Sequence, residues 1–277
     1  MRSCVTISLV KEASGGPFVF WDDLPEGCAQ AAELGFDAIE IFAPSRDSID
    51  VKQLKELLDR HGLTLAAAGT GAGWVKHQWH LCHSDRAIRE KARNFVQEII
   101  DLAAEFNASA ILGSMQGRTG PGMDSRQAHD CLVDELNVLG EYAGRHQLPL
   151  LFEPINRYET DLINRIDDGL KLLSRLDTTH VKLLADLFHM NIEEASIADA
   201  LRLAGVQLGH VHFADSNRRA AGLGHIDYAP IIQALEDIEY QGYLSAEVFA
   251  LPSPAAAAAQ TIKTLREILP AHEAASS

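Results

Sequence analysis

The chain repeats one pattern along most of its length: a short apolar run, then a turn, then an amphipathic stretch. Eight runs have the length of a strand: Val5–Val10, Asp37–Phe42, Leu63–Ala68, Ala108–Gly113, Leu148–Glu153, Val181–Asp186, Leu208–Phe213 and Tyr243–Val248. Between them, apolar residues recur every three to four positions, most clearly from Asp85 to Phe106, which is typical of a helix packed on one face. Strands that alternate with helices predict parallel βα units.

Eight βα units favour a closed barrel. The chain has 277 residues, close to the roughly 250 of a typical (β/α)₈ barrel. We therefore predict an α/β protein with a single (β/α)₈ TIM barrel over residues 1–277, ending in a frayed tail from about residue 271. A doubly wound sheet of eight strands is the alternative fold.

Charge and cysteine usage narrow the class of protein. The net charge of −15 disfavours nucleic-acid backbones and anionic membranes as partners, and no apolar stretch approaches the ~18 residues of a membrane helix. The four cysteines form no CxxC pair, and the N-terminus has no cleavage-site pattern. We expect a cytoplasmic protein with reduced thiols that binds neither nucleic acid nor membrane.

Side chains that can bind a metal stand at the ends of four successive predicted strands. The fifth strand ends at Glu153, the sixth at Asp186, the seventh near His212 and the eighth near Glu247. The carboxyl ends of barrel strands meet at one face, where such barrels keep their active sites. The four side chains are therefore predicted to lie close together.

The alternation of residues along these strands supports the same conclusion. Residues two apart in a strand share a face. If the four polar residues point inward, the outward positions are all apolar: Leu150, Phe152, Leu183, Ala185, Val211, Phe213, Leu244, Ala246 and Val248. Three carboxylates in one place repel one another, and a divalent cation removes that conflict. A site with one imidazole and carboxylate oxygens predicts one Mn²⁺, with Co²⁺, Mg²⁺ and Zn²⁺ also compatible.

Three more polar residues lie on the loops that follow these strands. Glu159 is six residues past Glu153, His189 is three past Asp186, and Arg218 is six past His212. Together they offer an acceptor, an imidazole and a cation, which suits a polyhydroxylated substrate. His210, one inward layer below His212, is interpreted as a packed or hydrogen-bonded core residue.

Four motifs give the chain a resemblance to a known family. EPINRYE, DLFHM, HFADSNR with GLGHIDY, and SAEVF are similar to the xylose-isomerase-like barrels, and in particular to the ketose 3-epimerases. The resemblance implies that Glu153, Asp186, His212 and Glu247 bind the metal, and that Glu153 and Glu247 are the acid/base pair. It also implies that Glu159, His189 and Arg218 hold the C1–C3 end of a sugar.

The resemblance implies C3 epimerisation of a ketose or keto-sugar acid, by proton abstraction through an enediolate that the metal stabilises. The chain departs from the family's free-ketohexose enzymes at Ala214-Asp215, where Gly-Glu is common, and at His225 and Tyr228, where Arg and Trp are common. These departures leave the sugar open and favour a substrate other than those of the best-known free-ketohexose enzymes. The partner is expected to be a small sugar, and the chain a homo-oligomer, either a dimer or a tetramer.

Other activities stay open at this stage. The same site could run an aldose–ketose isomerisation or dehydrate an inosose or keto sugar. An abasic-site endonuclease on this barrel needs further histidines after the third and fourth strands, which end here in Ala68-Gly69 and Gly113-Ser114. A non-catalytic sugar-binding barrel would not need two glutamates on the metal. Trp74, Trp79 and His80, after the third strand, could line the pocket or pack elsewhere.

Overall fold

A parallel sheet closes on itself to form the centre of the molecule. The computed structural model describes residues 1–120 and 122–269, so the tail expected from about residue 271 lies outside the described residues. The strands are β1 (Arg2–Ser8), β2 (Phe20–Trp21), β3 (Ala38–Phe42), β4 (Thr64–Gly69), β5 (Ser109–Leu112), β6 (Leu150–Phe152), β7 (Val181–Asp186), β8 (Leu208–His212) and β9 (Tyr243–Ala246).

The pairing of the first strand with the last decides between the two predicted folds. The strand order is β2-β1-β3-β4-β5-β6-β7-β8-β9, and β1 also pairs with β9, from Arg2 opposite Tyr243 to Val5 opposite Ala246. Eight strands therefore form a closed barrel, with the short β2 attached to β1. The (β/α)₈ barrel is confirmed, and the open doubly wound sheet is wrong.

Helices surround the barrel and carry capping residues at most of their starts. They are α1 (Leu24–Leu34), α2 (Val51–His61), α3 (Ala72–His77), α4 (Arg86–Ala104), α5 (Ser125–Gly144), α6 (Ile166–Leu173), α7 (Leu187–Glu193), α8 (Ile197–Ala204), α9 (Ala229–Asp237) and α10 (Pro254–Ile268). The helix predicted over Asp85–Phe106 is α4, which begins where the Asp85 side chain accepts the Ala87 N–H. In the part of the chain that is described, no helix is long and apolar enough to span a membrane.

Several predicted strand boundaries were wrong by a few residues. The strand β7 has the predicted limits, but β6 ends one residue before Glu153 and β9 ends one residue before Glu247. Pro154 has no N–H for the ladder, which explains the early end of β6. The first strand starts at Arg2, three residues earlier than expected, and β2 was missed because two residues show no periodicity.

The inner and outer faces of the strands bury different sets of residues. One small cluster contains one residue from each of four neighbouring strands: Ala67, Ile111, Leu151 and Leu184. The outward residues predicted from the alternation, including Phe152 and Phe213, belong instead to the large cluster that also contains helix residues. Both phenylalanines are fully buried, so truncating either to alanine should cost about 3–5 kcal/mol. This packing fixes which side chains face the barrel axis.

Candidate metal centre

The four predicted metal ligands lie together at the carboxyl ends of their strands. Glu153 follows β6 directly, Asp186 and His212 end β7 and β8, and Glu247 follows β9 directly. Each offers a ligand atom, and these atoms all lie within 4.8 Å of one another. Three of the side chains are buried and that of Glu247 is half-buried. The structure thus brings the set together, while its role in metal binding stays a prediction.

The imidazole of His212 gives the group its centre. Its Nδ1 atom lies 3.3 Å from Asp186 Oδ2, 3.4 Å from Glu153 Oε1 and 3.4 Å from Glu247 Oε2. One nitrogen and three carboxylate oxygens therefore converge from four adjacent strands. Gly113, which directly follows β5, leaves room for this approach, because a Cβ there would clash with Glu153 Oε2.

The donor set fits a divalent cation. Glu153 Oε1 is buried and has no hydrogen-bond partner, although a buried carboxylate oxygen without one is costly. Three carboxylates face one imidazole, a set of hard oxygens and one nitrogen that suits Mn²⁺, Co²⁺ or Mg²⁺. A divalent ion would satisfy the orphaned oxygen and offset the excess of negative charge.

The titration behaviour of the site follows from burial and from charged neighbours. Burial raises the pKa of Glu153 well above its usual range, and the carboxylates of Glu247 and Asp186 raise it further against the opposing effect of His212. Burial alone would also raise the pKa of Asp186, but Arg218, His189 and His212 outweigh it and hold that pKa well below its usual range. Two carboxylates of one site thus have opposite tendencies to hold a proton.

The three predicted substrate-binding residues flank this group. Arg218 Nη1 lies 2.9 Å from Asp186 Oδ2 and 3.2 Å from His189 Nε2, and Arg218 Nη2 contacts Glu247 Oε2. His189 is buried, and burial lowers its pKa to about 3, so it stays a neutral imidazole at neutral pH. Glu159 Oε1 lies 3.9 Å from His189 Nδ1. A guanidinium, a neutral imidazole and a carboxylate thus stand side by side.

Asn156 joins two of these residues and was missed by the sequence analysis. Its side-chain nitrogen donates to Glu159 Oε1 at 2.9 Å and lies 2.7 Å from His189 Nδ1. The side chain is buried, at the turn that follows Glu153-Pro154. An asparagine in a loop after a strand is usually a turn former, so its sequence context carried no distinguishing signal.

A buried aspartate holds the loop that carries Arg218. The Asp215 carboxylate accepts backbone N–H groups from Ser216 at 2.7 Å, Gly222 at 2.8 Å and Ile226 at 3.2 Å. Gly222 has a φ of +89°, in the left-handed region that favours glycine. Arg218 itself has a φ of +58°, a conformation that this network imposes on a residue other than glycine. Burial would raise the pKa of Asp215, but the N–H donors lower it.

Glu40 and His210 lie beneath the group, inside the barrel. His210 Nε2 is 3.0 Å from Glu40 Oε2, so the interpretation of His210 as a hydrogen-bonded core residue agrees with the structure. Glu40 was missed by the sequence analysis. The available signal was its position as a lone charged residue between apolar residues of the strand AIEIF.

A cavity of about 380 Å³ is lined by three of the four candidate ligands, Glu153, His212 and Glu247. Its lining combines the polar residues described above with apolar side chains that include Phe18, Phe42, Trp74 and Ile155. Trp74 therefore lines the cavity, whereas Trp79 and His80 do not. The volume is within the range of sites that take small organic ligands.

Comparison with known proteins places this arrangement in a family. The family model described as the xylose isomerase-like TIM barrel matches residues 28–268. The D-psicose 3-epimerase of Enterocloster bolteae is 30% identical over 267 residues, which cover 91% of this chain and 87% of that protein. The L-ribulose 3-epimerase of Methylomonas sp. (strain DH-1) is 32% identical over 225 residues, covering 80% and 77%.

A solved structure agrees with the sequence comparison. The apo form of the 3-keto-D-glucoside 4-epimerase from E. coli superimposes with a TM-score of 0.81 at 25% identity, covering 96% of this chain and 100% of that one. Both sequence relatives and this structure carry epimerase names. The match extends over nearly the whole barrel, including all four strands that carry the candidate ligands.

Proposed function

The chain belongs to the xylose isomerase-like TIM-barrel family and to its carbohydrate epimerases, and from that premise we propose that it inverts the C3 centre of a ketose with the help of one divalent metal ion. Glu153, Asp186, His212 and Glu247 would hold the metal. Glu153 and Glu247 would also be the two catalytic carboxylates. Glu159, His189 and Arg218 would bind the C1–C3 end of the sugar.

The observation that carries the proposal is the position of the two glutamates. In the strand order β6-β7-β8-β9, Glu153 and Glu247 follow the outer two strands, and Asp186 and His212 end the inner two. The glutamates thus stand at the two ends of the group, and both line the cavity. Inversion at carbon needs one base on each face of the substrate, and this arrangement supplies two carboxylates in different surroundings.

The proposed reaction is a proton transfer out of one face of C3 and into the other. One glutamate, ionised, takes the C3 proton while the C–H electron pair moves into the C2–C3 bond, giving an enediolate. The other glutamate, protonated, gives its proton to the opposite face of C3, and the C2 carbonyl forms again. The bound metal would supply positive charge that stabilises the developing oxyanion.

The surroundings of the cavity support an uncharged sugar. Apart from the four residues at the metal, its charged lining comprises Glu12, Glu40, Glu159 and Arg218, so among the described residues Arg218 is the one cation of the lining. Arg218 is already in contact with Asp186 and Glu247. A phosphate or a second carboxylate on the sugar would therefore meet net negative charge. This favours a free ketose over a keto-sugar acid.

The finer properties of the protein are part of the same proposal. The mixture of carboxylate oxygens and one imidazole supports Mn²⁺ as the metal. We also propose a homo-oligomer, since apolar residues such as Leu203 and Val206 are exposed. A cytoplasmic location is part of the proposal and is supported by the four free cysteines. Light scattering that gave a mass of 30.2 kDa for the purified chain would contradict the oligomer.

The test is solvent exchange followed by NMR. Metal-stripped protein is reloaded with Mn²⁺, passed into D₂O and incubated with ketohexoses, ketopentoses, keto-sugar acids and a 3-keto glycoside. We expect deuterium at C3 of a ketose, dependent on the metal. Glu153→Gln and Glu247→Gln should both abolish epimerisation, yet each should still exchange the one epimer whose C3 proton faces the intact glutamate. The exposed Glu236→Gln is the matched control and should keep full activity.

The pattern of label separates the rival activities. Opposite epimers exchanging in the two variants would establish the two-base mechanism. Label at C1 or C2 would indicate an aldose–ketose isomerase. Label at C4 of the 3-keto glycoside would indicate that the chain inverts C4 of a 3-keto sugar and not C3 of a ketose. Loss of water from the substrate would indicate a dehydratase. Metal binding without exchange into any sugar would contradict the proposal.

A further inference from the structure

A carboxylate inside the barrel bridges two histidines directly below the candidate metal ligands. Glu40 lies on β3, and His210 and His212 lie two residues apart on β8. His210 Nε2 is 3.0 Å from Glu40 Oε2, and His212 Nε2 is 3.3 Å from Glu40 Oε1. All three side chains are buried, and the two imidazole rings meet edge to face with centroids 5.6 Å apart.

The two nitrogens of His212 have different surroundings. Its Nδ1 atom faces the carboxylates of Glu153, Asp186 and Glu247, whereas Nε2 faces Glu40. An imidazole that binds a metal through one nitrogen keeps its proton on the other, and that proton needs an acceptor. The 3.3 Å contact between Nε2 and Glu40 is not aligned as a hydrogen bond.

We propose that Glu40 is a positioning residue for the metal centre. By accepting the Nε2 proton of His212, its carboxylate keeps Nδ1 directed at the metal. His210 in turn holds Glu40, since its N–H occupies the second carboxylate oxygen. Both Glu40 oxygens are thus used, one for each imidazole. The inference rests on the metal site of the proposed function and adds a residue outside the predicted ligand set.

The same three residues could instead hold a metal of their own, because their donor atoms also lie within 4.8 Å of one another. We favour the positioning role because the contact between Glu40 and His210 already satisfies one donor and one acceptor. In addition, His212 directs only Nε2 toward Glu40, while its Nδ1 faces the three carboxylates of the candidate metal site. The two interpretations differ in the number of ions bound, which a titration counts.

Isothermal titration of the metal-stripped protein with Mn²⁺ tests the role. Glu40→Gln keeps the shape but replaces one acceptor oxygen by an amide donor, which must face the N–H of one histidine. We expect one ion per chain and a Kd raised about 10–100-fold in the variant. In the Zn²⁺-loaded wild type, ¹⁵N NMR should find the His212 proton on Nε2, as a single tautomer. In the variant, His212 should no longer hold this one tautomer. Glu135→Gln is the matched control, a similarly buried glutamate that contacts Arg93 on the outer helices.

Each outcome bears on the inference. An unchanged Kd and tautomer in Glu40→Gln would overturn it while leaving the proposed function intact. Two ions per wild-type chain would overturn it in favour of a second metal site. If Glu40→Gln does not fold, His210→Phe removes the residue that holds Glu40, and an unchanged Kd there would overturn the inference equally. A wild type that binds no divalent metal would instead overturn the proposed function itself.

Discussion

At the scale of single residues, Asp186 shows how one side chain can serve the fold and the site together. It ends β7, and its Oδ1 atom caps α7 by accepting the N–H groups of Phe188 at 2.8 Å and His189 at 3.2 Å. Its other oxygen, Oδ2, faces His212 and Arg218. Because the cap holds one oxygen, the direction of the other is fixed before any ligand binds. Asp186 thus caps α7 with one oxygen, and this cap orients its other oxygen toward the candidate metal site.

His80 gives a prediction about pH at the same scale. It contacts Cys82 Sγ at 3.3 Å, and burial, reinforced by His83, lowers its pKa to about 4. In the unfolded chain its pKa is about 6.5. Unfolded His80 therefore takes up a proton as the pH falls below about 6.5, while folded His80 does so only near 4. Its contribution to stability is complete above pH 6.5 and is lost between pH 6.5 and 4.

The measurement compares urea unfolding of the wild type and His80→Asn at pH 7.5 and pH 5.0. Between pH 7.5 and pH 5.0 the free energy of unfolding should fall less in the variant than in the wild type. Asparagine does not titrate, so the variant lacks the extra proton that His80 takes up when the chain unfolds. Other titrating groups contribute to both proteins and cancel in the comparison. The exposed His225→Asn should behave like the wild type. Equal acid sensitivity of His80→Asn and wild type would refute the assignment.

At the scale of elements, the loop between β8 and α9 decides where Arg218 points. A strand end places its own last side chains, but Arg218 lies six residues beyond His212, too far for the strand to control. The loop is held instead by Asp215, which gathers N–H groups from across residues 216–226. The Arg218 carbonyl also accepts the N–H of Phe249, just past Glu247, at 2.8 Å. The loop is thus built around one buried anion.

Asp215→Asn is expected to loosen this loop without changing the metal ligands. The amide nitrogen would face backbone N–H donors, and an unsatisfied buried group costs about 1–3 kcal/mol. We expect the free energy of unfolding to fall by about that amount and KM for the sugar to rise about tenfold or more, with the Kd for Mn²⁺ unchanged. Urea unfolding, steady-state kinetics and metal titration measure the three quantities.

The control for the loop is Asp227→Asn. Asp227 lies on the same loop but is exposed and accepts a single N–H, from Ala229. It should leave KM unchanged. Wild-type KM and stability in Asp215→Asn would show that the buried carboxylate does not hold Arg218 in place.

At the scale of the whole molecule, the candidate metal site connects four of the eight barrel strands. Its four residues come from β6, β7, β8 and β9, and β9 closes the barrel against β1. A ligand that binds only the folded chain stabilises it by RT ln(1 + [L]/Kd). Metal binding is therefore expected to stabilise the closed barrel.

We predict that Mn²⁺ at about 100 times its Kd raises the free energy of unfolding by about 2.7 kcal/mol. For a chain of this size that corresponds to an increase in Tm of roughly 5 °C. Differential scanning calorimetry with Mn²⁺ and with EDTA measures it. Hydrogen exchange should slow more in β6–β9 than in β3–β5, which serve as an internal control. Asp186→Ala should remove the effect, and an equal rise in that variant would mean that the metal binds elsewhere.

Much of the fold and the candidate site could be predicted from local patterns. The alternation along a strand depends only on backbone geometry, so it assigned Glu153, Asp186, His212 and Glu247 to one face before any contact was known. The eight-fold repeat of strand and helix patterns, which are also local properties, indicated the barrel. Strand boundaries were less accurate, because where a strand ends depends on its neighbours. The two-residue β2 is too short for any period.

Other features of the site depend on contacts between parts of the chain that are distant in sequence. Glu40 and His210 are 170 residues apart, and they meet because closure of the barrel and the register shift between Leu183 and Leu184 set the height of β8. The direction of Arg218 depends likewise on a loop network around Asp215. Periodicity determines which face a side chain occupies, since that is a local property. Which side chains meet on that face depends on strand order and register, which long-range pairing alone sets.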